Sequence, residues 1–334
     1  MKCIMNISIA LLSVVPFARA MPQPSFHTKG SPTGKPTGPL KPGEYWWAPH
    51  VAPAGPVVVL VSIPQQIMCV YRNGVLVGRT SVSTGSKGHE TPAGVFTILE
   101  KNDTHYSKTY NNAPMPHMQR LTWSGIAMHS GQLPGYAASH GCIRMPYDFS
   151  KLLFGLTAKG GTVVIGDEKT PQPHFAANPG ILLAPKDVTP DMLRPLEKGE
   201  YQWNPQRSPE GQISVLFSGA DRMVYVYRNG QPIGRAPIEI IGRGPLGGHV
   251  FSMLEGATGK ASWWSSSRSA YRWMTVSTDR TRGVSNFEDL GKRVRINPEF
   301  AVKLHDVLKP GTSVIVTDQP AAPRAGNNFP ILAN

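Results

Sequence analysis

The chain has 334 residues, enough for about two domains, and its 34 Lys and Arg outnumber 21 Asp and Glu to give a formal net charge of +13. Its three cysteines and scattered histidines show no metal-ligand spacing, which argues against a metal or other cofactor. The basic charge is compatible with an acidic wall polymer, a carboxylate-bearing peptide or a membrane surface as partner, or with solubility alone.

Residues 1–20 are typical of a secretory signal peptide. Lys2 supplies a basic start, residues 4–15 form an apolar run, and Ala18-Arg19-Ala20 is a small-x-small cleavage site. The run is too short for a stable membrane anchor, although an uncleaved anchor is the alternative. We therefore expect an exported, periplasmic protein, which argues against nucleic acid as a partner.

Residues 21–56 form a proline-rich N-terminal segment with nine prolines. Such a composition favours extended polyproline II and cannot bury a core by itself. The segment ends in the aromatic cluster Tyr45-Trp46-Trp47. It is either a spacer, or its aromatic end packs over the following domain and narrows access to a cleft.

Residues 57–100 have the pattern of β-strands. Asn73-Gly74, the strongest short hairpin signal, separates two apolar runs. The loop His89-Glu90-Thr91-Pro92-Ala93-Gly94 leads into a further strand. The predicted strands cover 57–62, 67–72, 75–82 and 95–99.

The next stretch, residues 101–122, is polar and irregular, and we interpret it as a flap over the site. His117 within it is predicted to be a surface histidine. Cys69 lies in the strand-like run 67–71, where a small buried residue is expected, so it should not pair with Cys142.

Residues 123–146 carry the candidate chemistry. A strand over 123–128 would deliver His129, and the short loop that follows lets His129 meet Cys142. An imidazole can take the proton of a thiol and leave a reactive thiolate. Gly141 permits a tight turn, so that its N–H and that of Cys142 would face a developing oxyanion. For the Cys/His pair alone, a purely structural cysteine is the alternative.

The string MHSGQLPGYAASHGCIRMP at 128–146 resembles the signature of the L,D-transpeptidases of the YkuD fold. The matching positions are His129, Ser139, His140, Gly141, Cys142, Ile143 and Arg144. Family-like sequence extends over 57–167. The resemblance implies a mainly β domain, a mostly antiparallel YkuD-type sandwich or barrel with one short helix.

The resemblance also implies roles for single residues. Cys142 would be the nucleophile and His129 the base, with the Ser130 carbonyl orienting the imidazole, while Ser139 and His140 would shape the site. Arg144 would give structural support or bind a substrate carboxylate. Tyr136 and Met128 would contact substrate, although many members have a small or β-branched residue where Met128 stands.

The implied substrate is peptidoglycan, through its stem peptides and glycan strands. The thiolate would attack a stem-peptide carbonyl, and a diaminopimelate amine would then take the acyl group to form a crosslink. Family members are usually acylated by carbapenems. The LPGYAASHGCIRMP string favours an L-alanine to diaminopimelate (1–3) crosslink. The alternatives are a diaminopimelate to diaminopimelate (3–3) crosslink, lipoprotein attachment, a wall peptidase or amidase, or a non-enzymatic wall-binding protein.

The remainder of the first half predicts a helix over 146–154 and a strand over 162–165. Residues 168–198 are a proline-bearing linker with one helical turn expected at 190–193.

The second half repeats features of the first. Tyr71-Arg72-Asn73-Gly74 recurs as Tyr227-Arg228-Asn229-Gly230, and Gly43-Glu44-Tyr45 recurs as Gly199-Glu200-Tyr201. We predict a duplicated YkuD-like domain over 199–320 and a tail over 321–334. Alignment through Pro298 places Lys292, Arg293 and Val294 at the His-Gly-Cys positions, so the copy should be inactive. It would bind an anionic ligand or act as a scaffold. The sequence does not indicate the oligomeric state.

Overall fold

The described part of the chain comprises two β-rich halves. The computed structural model describes residues 26–35, 38–166, 194–197, 199–278, 284 and 286–321. The predicted signal peptide, most of the predicted linker and the helical turn predicted at 190–193 lie outside these residues. None of the helices within the described ranges is long and apolar enough to cross a membrane.

Among its described residues, the first half contains eleven strands and one α-helix, α1 (Tyr147–Leu156), with a 3-10 turn at Pro49–Val51. The strands are β1 (Ser31–Pro32), β2 (Glu44–Trp47), β3 (Val57–Ser62), β4 (Ile67–Arg72), β5 (Val75–Ser81), β6 (Gly94–Thr97), β7 (Glu100–Tyr106), β8 (Pro114–Arg120), β9 (Ala127–Ser130), β10 (Ile143–Met145) and β11 (Thr162–Gly166).

These strands form two mixed sheets. The larger has the order β1-β2-β5-β4-β3-β11-β6, and the smaller has the order β10-β9-β8-β7. Most pairs are antiparallel, but β1 runs parallel to β2, β11 to β3 and β10 to β9. The mainly β class and the single helix of this half agree with the prediction.

Several predicted elements differ from the observed ones. The segment predicted as an irregular flap is a regular hairpin, because β7 and β8 pair along their length. The strand that carries His129 begins at Ala127 rather than Trp123, since a turn with positive φ at Gly125 precedes it. His117 is buried with 5% exposure, so its prediction as a surface residue is wrong.

The aromatic end of the N-terminal segment docks as a strand. Tyr45, Trp46 and Trp47 pair with β5, and the Trp47 ring meets the Phe149 ring edge-on at 5.3 Å. The aromatic end thus packs on the following domain, as one of the two alternatives predicted, but the predicted narrowing of the cleft is wrong because none of the three residues lines the cavity of the candidate site. Tyr45 and Trp47 contribute to the core, because alternate residues of a strand face the helix that covers the sheet, whereas the Trp46 ring lies 5.8 Å from Lys35 Nζ.

Alternation along β11 shows how the layers are built. Val163 and Ile165 pack towards Phe149 of α1 in the core of the first half. Val164 points to the opposite face, where it joins residues of the second half. The larger sheet is thus covered on both faces, which explains why β11 is buried along its length.

The second half is built from eight strands, two helices and a 3-10 turn at Pro205–Arg207 among its described residues. They are β12 (Gln202–Trp203), β13 (Ile213–Ser218), β14 (Met223–Arg228), β15 (Gln231–Ile240), β16 (His249–Ala261), β17 (Ser269–Thr278), α2 (Phe287–Arg293), β18 (Val294–Ile296), α3 (Pro298–Val307) and β19 (Ser313–Thr317).

The two halves share a strand order. The run β2-β5-β4-β3-β11-β6 in the first half has the counterpart β12-β15-β14-β13-β19-β16 in the second. Corresponding irregularities lie between Val70 and Tyr71 and between Val226 and Tyr227. The contact of Trp47 with Phe149 also recurs, since the Trp203 and Phe300 rings meet edge-on at 5.5 Å.

The shared geometry shifts the alignment of the candidate site by one residue. Arg144 bridges to Ser83, and Arg295 occupies the equivalent place opposite Glu239. Cys142 lies two residues before Arg144, and the residue two positions before Arg295 is Arg293. Arg293, not Val294, therefore corresponds to Cys142. The predicted alignment through Pro298 is wrong because Asn297, rather than Pro298, corresponds to Pro146 as the residue before the helix.

The halves pack through the outer faces of their large sheets. Val58, Val95 and Val164 share one apolar cluster with Leu216 and Ile315. At this interface the hydroxyls of Thr162 and Ser313, which hold equivalent positions on β11 and β19, lie 2.5 Å apart. Equivalent surfaces therefore face each other, as in an isologous dimer interface.

Deleting residues 199–334 should expose this apolar face. We expect the shortened protein to self-associate and to lose soluble yield, because removing the partner sheet returns buried valines to water. Size-exclusion chromatography with light scattering measures this. The matched control is the same deletion carrying Val58→Thr and Val164→Thr, which should associate less. A monomeric, fully soluble deletion protein would contradict the expectation.

Candidate active site

Two parallel strands bring the predicted dyad together. β9 and β10 pair so that His129 lies opposite Arg144, and Cys142 immediately precedes β10. Both His129 and Cys142 line a cavity of about 350 Å³. The other lining residues are Phe26, Ser107, Tyr110, Ala113, Pro114, Met115, Ser130, Gly131, Gln132, Ser139, His140 and Arg144.

The orientation of His129 follows from one short hydrogen bond. Its Nδ1 lies 2.6 Å from the backbone oxygen of Ser130. A carbonyl oxygen only accepts, so Nδ1 carries the proton and Nε2 keeps a free lone pair. The orienting contact expected from Ser130 is present. The imidazole is thereby in the tautomer that a general base at Nε2 requires.

The electrostatics keep the imidazole neutral. Burial lowers the pKa of His129 to about 4, against the opposing effect of its hydrogen bond to Ser130, and the Arg144 cation lowers it further. Uncharged imidazole therefore predominates at neutral pH.

The Cys142 thiol is also neutral in the resting site. Burial raises its pKa, while a backbone hydrogen bond from Ala127 and the Arg144 cation oppose that change. The Sγ lies 3.6 Å from the Gly125 carbonyl oxygen, which accepts a weak hydrogen bond from the thiol. A neutral thiol beside a neutral base favours proton removal during attack rather than a preformed ion pair.

The turn before Cys142 is fixed by two hydroxyl groups. Ser139 Oγ donates to the Cys142 carbonyl oxygen at 2.5 Å and accepts from the Gly141 N–H at 3.1 Å. Thr91 Oγ1 accepts from the Gly85 N–H at 2.8 Å and donates to the Gly141 carbonyl at 2.7 Å. Both hydroxyls are buried, so the turn is held from two sides.

Gly141 is required by its conformation. Its φ is +100°, and a Cβ there would lie 2.6 Å from Ile126 Cδ1. The predicted oxyanion role of its N–H needs correction for the resting state, because that N–H already donates to Ser139. The Cys142 N–H is the remaining candidate donor.

His140 and Arg144 both line the cavity but have different neighbours. The His140 ring lies 4.7 Å from the rings of both His89 and Tyr110. The Arg144 stem packs against Gly131, where a Cβ would approach its Cγ to 2.7 Å. Burial lowers the pKa of the Arg144 guanidinium. His140 is thus in contact with two tilted aromatic rings, and Arg144 supplies a half-buried cation to the cavity.

Two residues predicted to contact substrate lie elsewhere. Met128 is fully buried in the core of the first half, on the face of β9 opposite His129, so this prediction is wrong. Tyr136 is 64% exposed and does not line the cavity, and its substrate contact stays a prediction.

Sequence reasoning missed two parts of the site, because Phe26 lies in a proline-rich segment and Thr91 in a loop. The turn at 107–113 between β7 and β8, within the segment predicted to lie over the site, supplies Ser107 and Tyr110 to the cavity. The loop motif around Thr91 was the one available signal, since a hydroxyl flanked by Pro92 and Gly94 is typical of a structured turn.

No group of three or more His, Cys, Asp or Glu side chains that could hold a metal occurs in the described ranges. The two cysteines in those ranges, Cys69 and Cys142, are both free and partly buried.

The pH dependence of acylation should reflect the buried imidazole. Because only neutral His129 accepts a proton, the acylation rate should fall as pH drops through about 4 rather than through about 6.5, the value of an exposed histidine. Rapid-mixing acylation rates between about pH 3.5 and 8 measure this limb. A fall in the acylation rate centred near pH 6.5 would contradict the burial of His129 away from solvent.

Comparison with known proteins identifies the family of a segment within the first half of the chain. Residues 56–165 match the sequence model of YkuD, the L,D-transpeptidase catalytic domain. That match includes His129, Cys142 and the turn between them. Residues 56–165 are therefore a YkuD-type L,D-transpeptidase catalytic domain.

Solved L,D-transpeptidases align with the same fraction of the chain. Those from Stackebrandtia nassauensis, Xylanimonas cellulosilytica and Mycobacterium smegmatis are 30%, 26% and 22% identical, each with a TM-score of 0.30. Each match covers 34% of this chain and, respectively, 56%, 61% and 59% of the solved chain. The chain thus spans less than two thirds of the length of these structures. No curated protein matches the sequence.

Proposed function

We propose that the protein is a periplasmic L,D-transpeptidase that crosslinks peptidoglycan through a thioester on Cys142. The observation that carries the proposal is the placement of His129 and Cys142 in one cavity of a YkuD catalytic domain. The hydrogen bond from His129 Nδ1 to Ser130 supports the assignment of His129 as base.

In the first step, Cys142 Sγ attacks the carbonyl carbon of a donor stem peptide while His129 Nε2 takes the thiol proton. The oxyanion that forms is stabilised by the Cys142 N–H. When the tetrahedral intermediate collapses, the C–N bond breaks, and the leaving amine of the D-amino acid takes the proton from His129. The product is a thioester between the donor acyl group and Cys142.

In the second step, a diaminopimelate amine of a neighbouring stem attacks the thioester carbonyl. His129 takes a proton from the attacking amine as the new amide bond forms. The C–S bond then breaks, and the proton returns to the departing sulfur. The resting thiol and imidazole are regenerated, so the cycle needs no redox partner or cofactor.

Arg144 is suited to hold the anionic part of the substrate. Its half-buried guanidinium faces the cavity, and stem peptides carry carboxylates. Its backbone also pairs with Ser83 at 2.9 and 3.0 Å, so structural support and carboxylate binding are compatible in one residue.

Carbapenem labelling tests this class of activity. We expect a carbapenem to acylate the intact protein once, with the added mass mapping to the peptide that contains Cys142. Absence of an adduct, or an adduct on Cys69, would contradict the proposed thiol chemistry. Stem peptides that are shortened without formation of dimers would indicate a peptidase or amidase instead.

We expect the crosslink to join L-alanine to diaminopimelate (1–3). The LPGYAASHGCIRMP string and a second half without a cysteine support this choice. Tandem mass spectra of dimers should show the L-alanine carbonyl bonded to the diaminopimelate side-chain amine. Spectra with only diaminopimelate-to-diaminopimelate bonds would return the protein to the 3–3 class.

We further infer that residues 199–320 are a degenerate copy of the catalytic domain with a supporting role. The shared strand order, and the basic Arg293 at the position that corresponds to Cys142, support this. Export through residues 1–20 and attraction of the basic chain to acidic wall polymers accord with a site of action outside the cytoplasm.

A further inference from the structure

The described N-terminal residues 26–33, here called the N-terminal strap, dock beside the dyad. Thr28 makes three hydrogen bonds of 2.9 Å. Its N–H donates to the Gly131 oxygen, its carbonyl accepts from the Tyr147 N–H, and its hydroxyl accepts from the Leu133 N–H. Gly131 directly follows Ser130, whose carbonyl orients His129. The strap is therefore bonded to the backbone that carries the base.

Further contacts fix the strap on both sides of Thr28. The His27 ring stacks on Tyr147 at 4.6 Å, and the Gly30 N–H donates to Asp148 Oδ2 at 2.9 Å. A Cβ at position 30 would lie 2.7 Å from the Tyr45 ring, so only glycine fits there. The strap is consequently packed onto the domain through specific hydrogen bonds and ring contacts.

This anchoring places Phe26 at the cavity. Phe26 lines the same cavity as Cys142, yet 65% of its surface is exposed. Tyr110, from the turn between β7 and β8, lines the cavity as well and is 45% exposed. Aromatic rings left open at a concave site are typical of ligand contact, since a ligand would remove their apolar surface from water.

The chemistry of the proposed peptidoglycan substrate indicates which of its parts would pack against the uncharged ring of Phe26. The side chains of a stem peptide are small or charged, and the carboxylates among them suit the Arg144 cation. The sugar to which the stem is attached presents a flat, uncharged, C–H-bearing face. We propose that Phe26 is a substrate-contacting residue that packs against the sugar ring at the glycan end of the donor peptide. This inference rests on the proposed function.

Competition against carbapenem acylation of the full chain tests the contact. The probes are a disaccharide-linked stem peptide and the same stem peptide without sugar. For Phe26→Ala, we expect the concentration of disaccharide-linked peptide that halves the acylation rate to rise about fivefold to tenfold. The value for the sugar-free peptide should stay within about twofold, and Phe26→Tyr should restore the wild-type value for both.

The matched control is Trp123→Ala, because Trp123 is 61% exposed and does not line the cavity. This substitution should leave unchanged the half-inhibiting concentrations of both the disaccharide-linked and the sugar-free peptide. An equal rise for both probes in Phe26→Ala, or no rise for either, would overturn the sugar contact. Wild-type protein that is not acylated by the carbapenem would instead refute the proposed function, so the two failures are distinguishable.

Discussion

Cys142→Ala is expected to abolish carbapenem acylation and crosslink formation while leaving the fold intact. The Sγ is the one thiol that lines the cavity within the described residues, and no other group there can form the thioester. The cost to folding should be small, about 1 kcal/mol, because one partly buried sulfur is removed from contacts with Met115, Met118 and Ala127. Intact-protein mass spectrometry and thermal unfolding measure the two effects.

Cys69→Ala is the matched control for this substitution. Cys69 is also free and partly buried, but it lies on β4 outside the cavity. We expect the Cys69→Ala variant to be acylated by the carbapenem at the wild-type rate. Dimers formed by Cys142→Ala at the wild-type rate would remove this residue from the mechanism.

His129→Ala is expected to lower the acylation rate by about 10²–10⁴-fold, the usual contribution of a general base. Without Nε2 to take the thiol proton, attack depends on the small thiolate fraction, and burial makes that fraction smaller by raising the pKa of Cys142. Rates should therefore recover partly as pH increases, which rapid-mixing kinetics would show.

His140→Ala provides the comparison. His140 lies two residues before Cys142 in sequence, but it is exposed and its ring contacts those of His89 and Tyr110. Its loss should reduce the rate much less and should leave the acid limb near pH 4 unchanged. Equal losses in both variants would mean that the proton follows another path.

The predicted chemistry depended on a local string, and the local geometry agrees with it. His129, Ser130, Ser139 and Cys142 come from one stretch whose parallel strands and short loop bring them to one cavity. The apolar, β-branched runs before the Asn73-Gly74 turn were also well predicted, since Val57–Ser62 and Ile67–Arg72 match β3 and β4. Such patterns are local, so sequence alone can reveal them.

The errors arose where distant contacts decide the structure. His117 was predicted to be exposed, yet its Nδ1 lies 2.9 Å from Ser150 Oγ and its ring is buried against α1. Phe26 reaches the cavity only because Thr28 bonds to residues more than 100 positions later. No periodicity records such a contact, and a proline-rich composition conceals it.

Product analysis tests the central claim most directly. The purified wild-type protein is incubated with disaccharide-linked stem peptides, and the products are separated and sequenced by tandem mass spectrometry. We predict new crosslinked dimers together with the released remainder of the donor stem, which begins with the D-amino acid whose amine leaves, and neither product from Cys142→Ala. Shortened monomers without dimers, or dimers that persist in Cys142→Ala, would contradict transpeptidation through a Cys142 thioester.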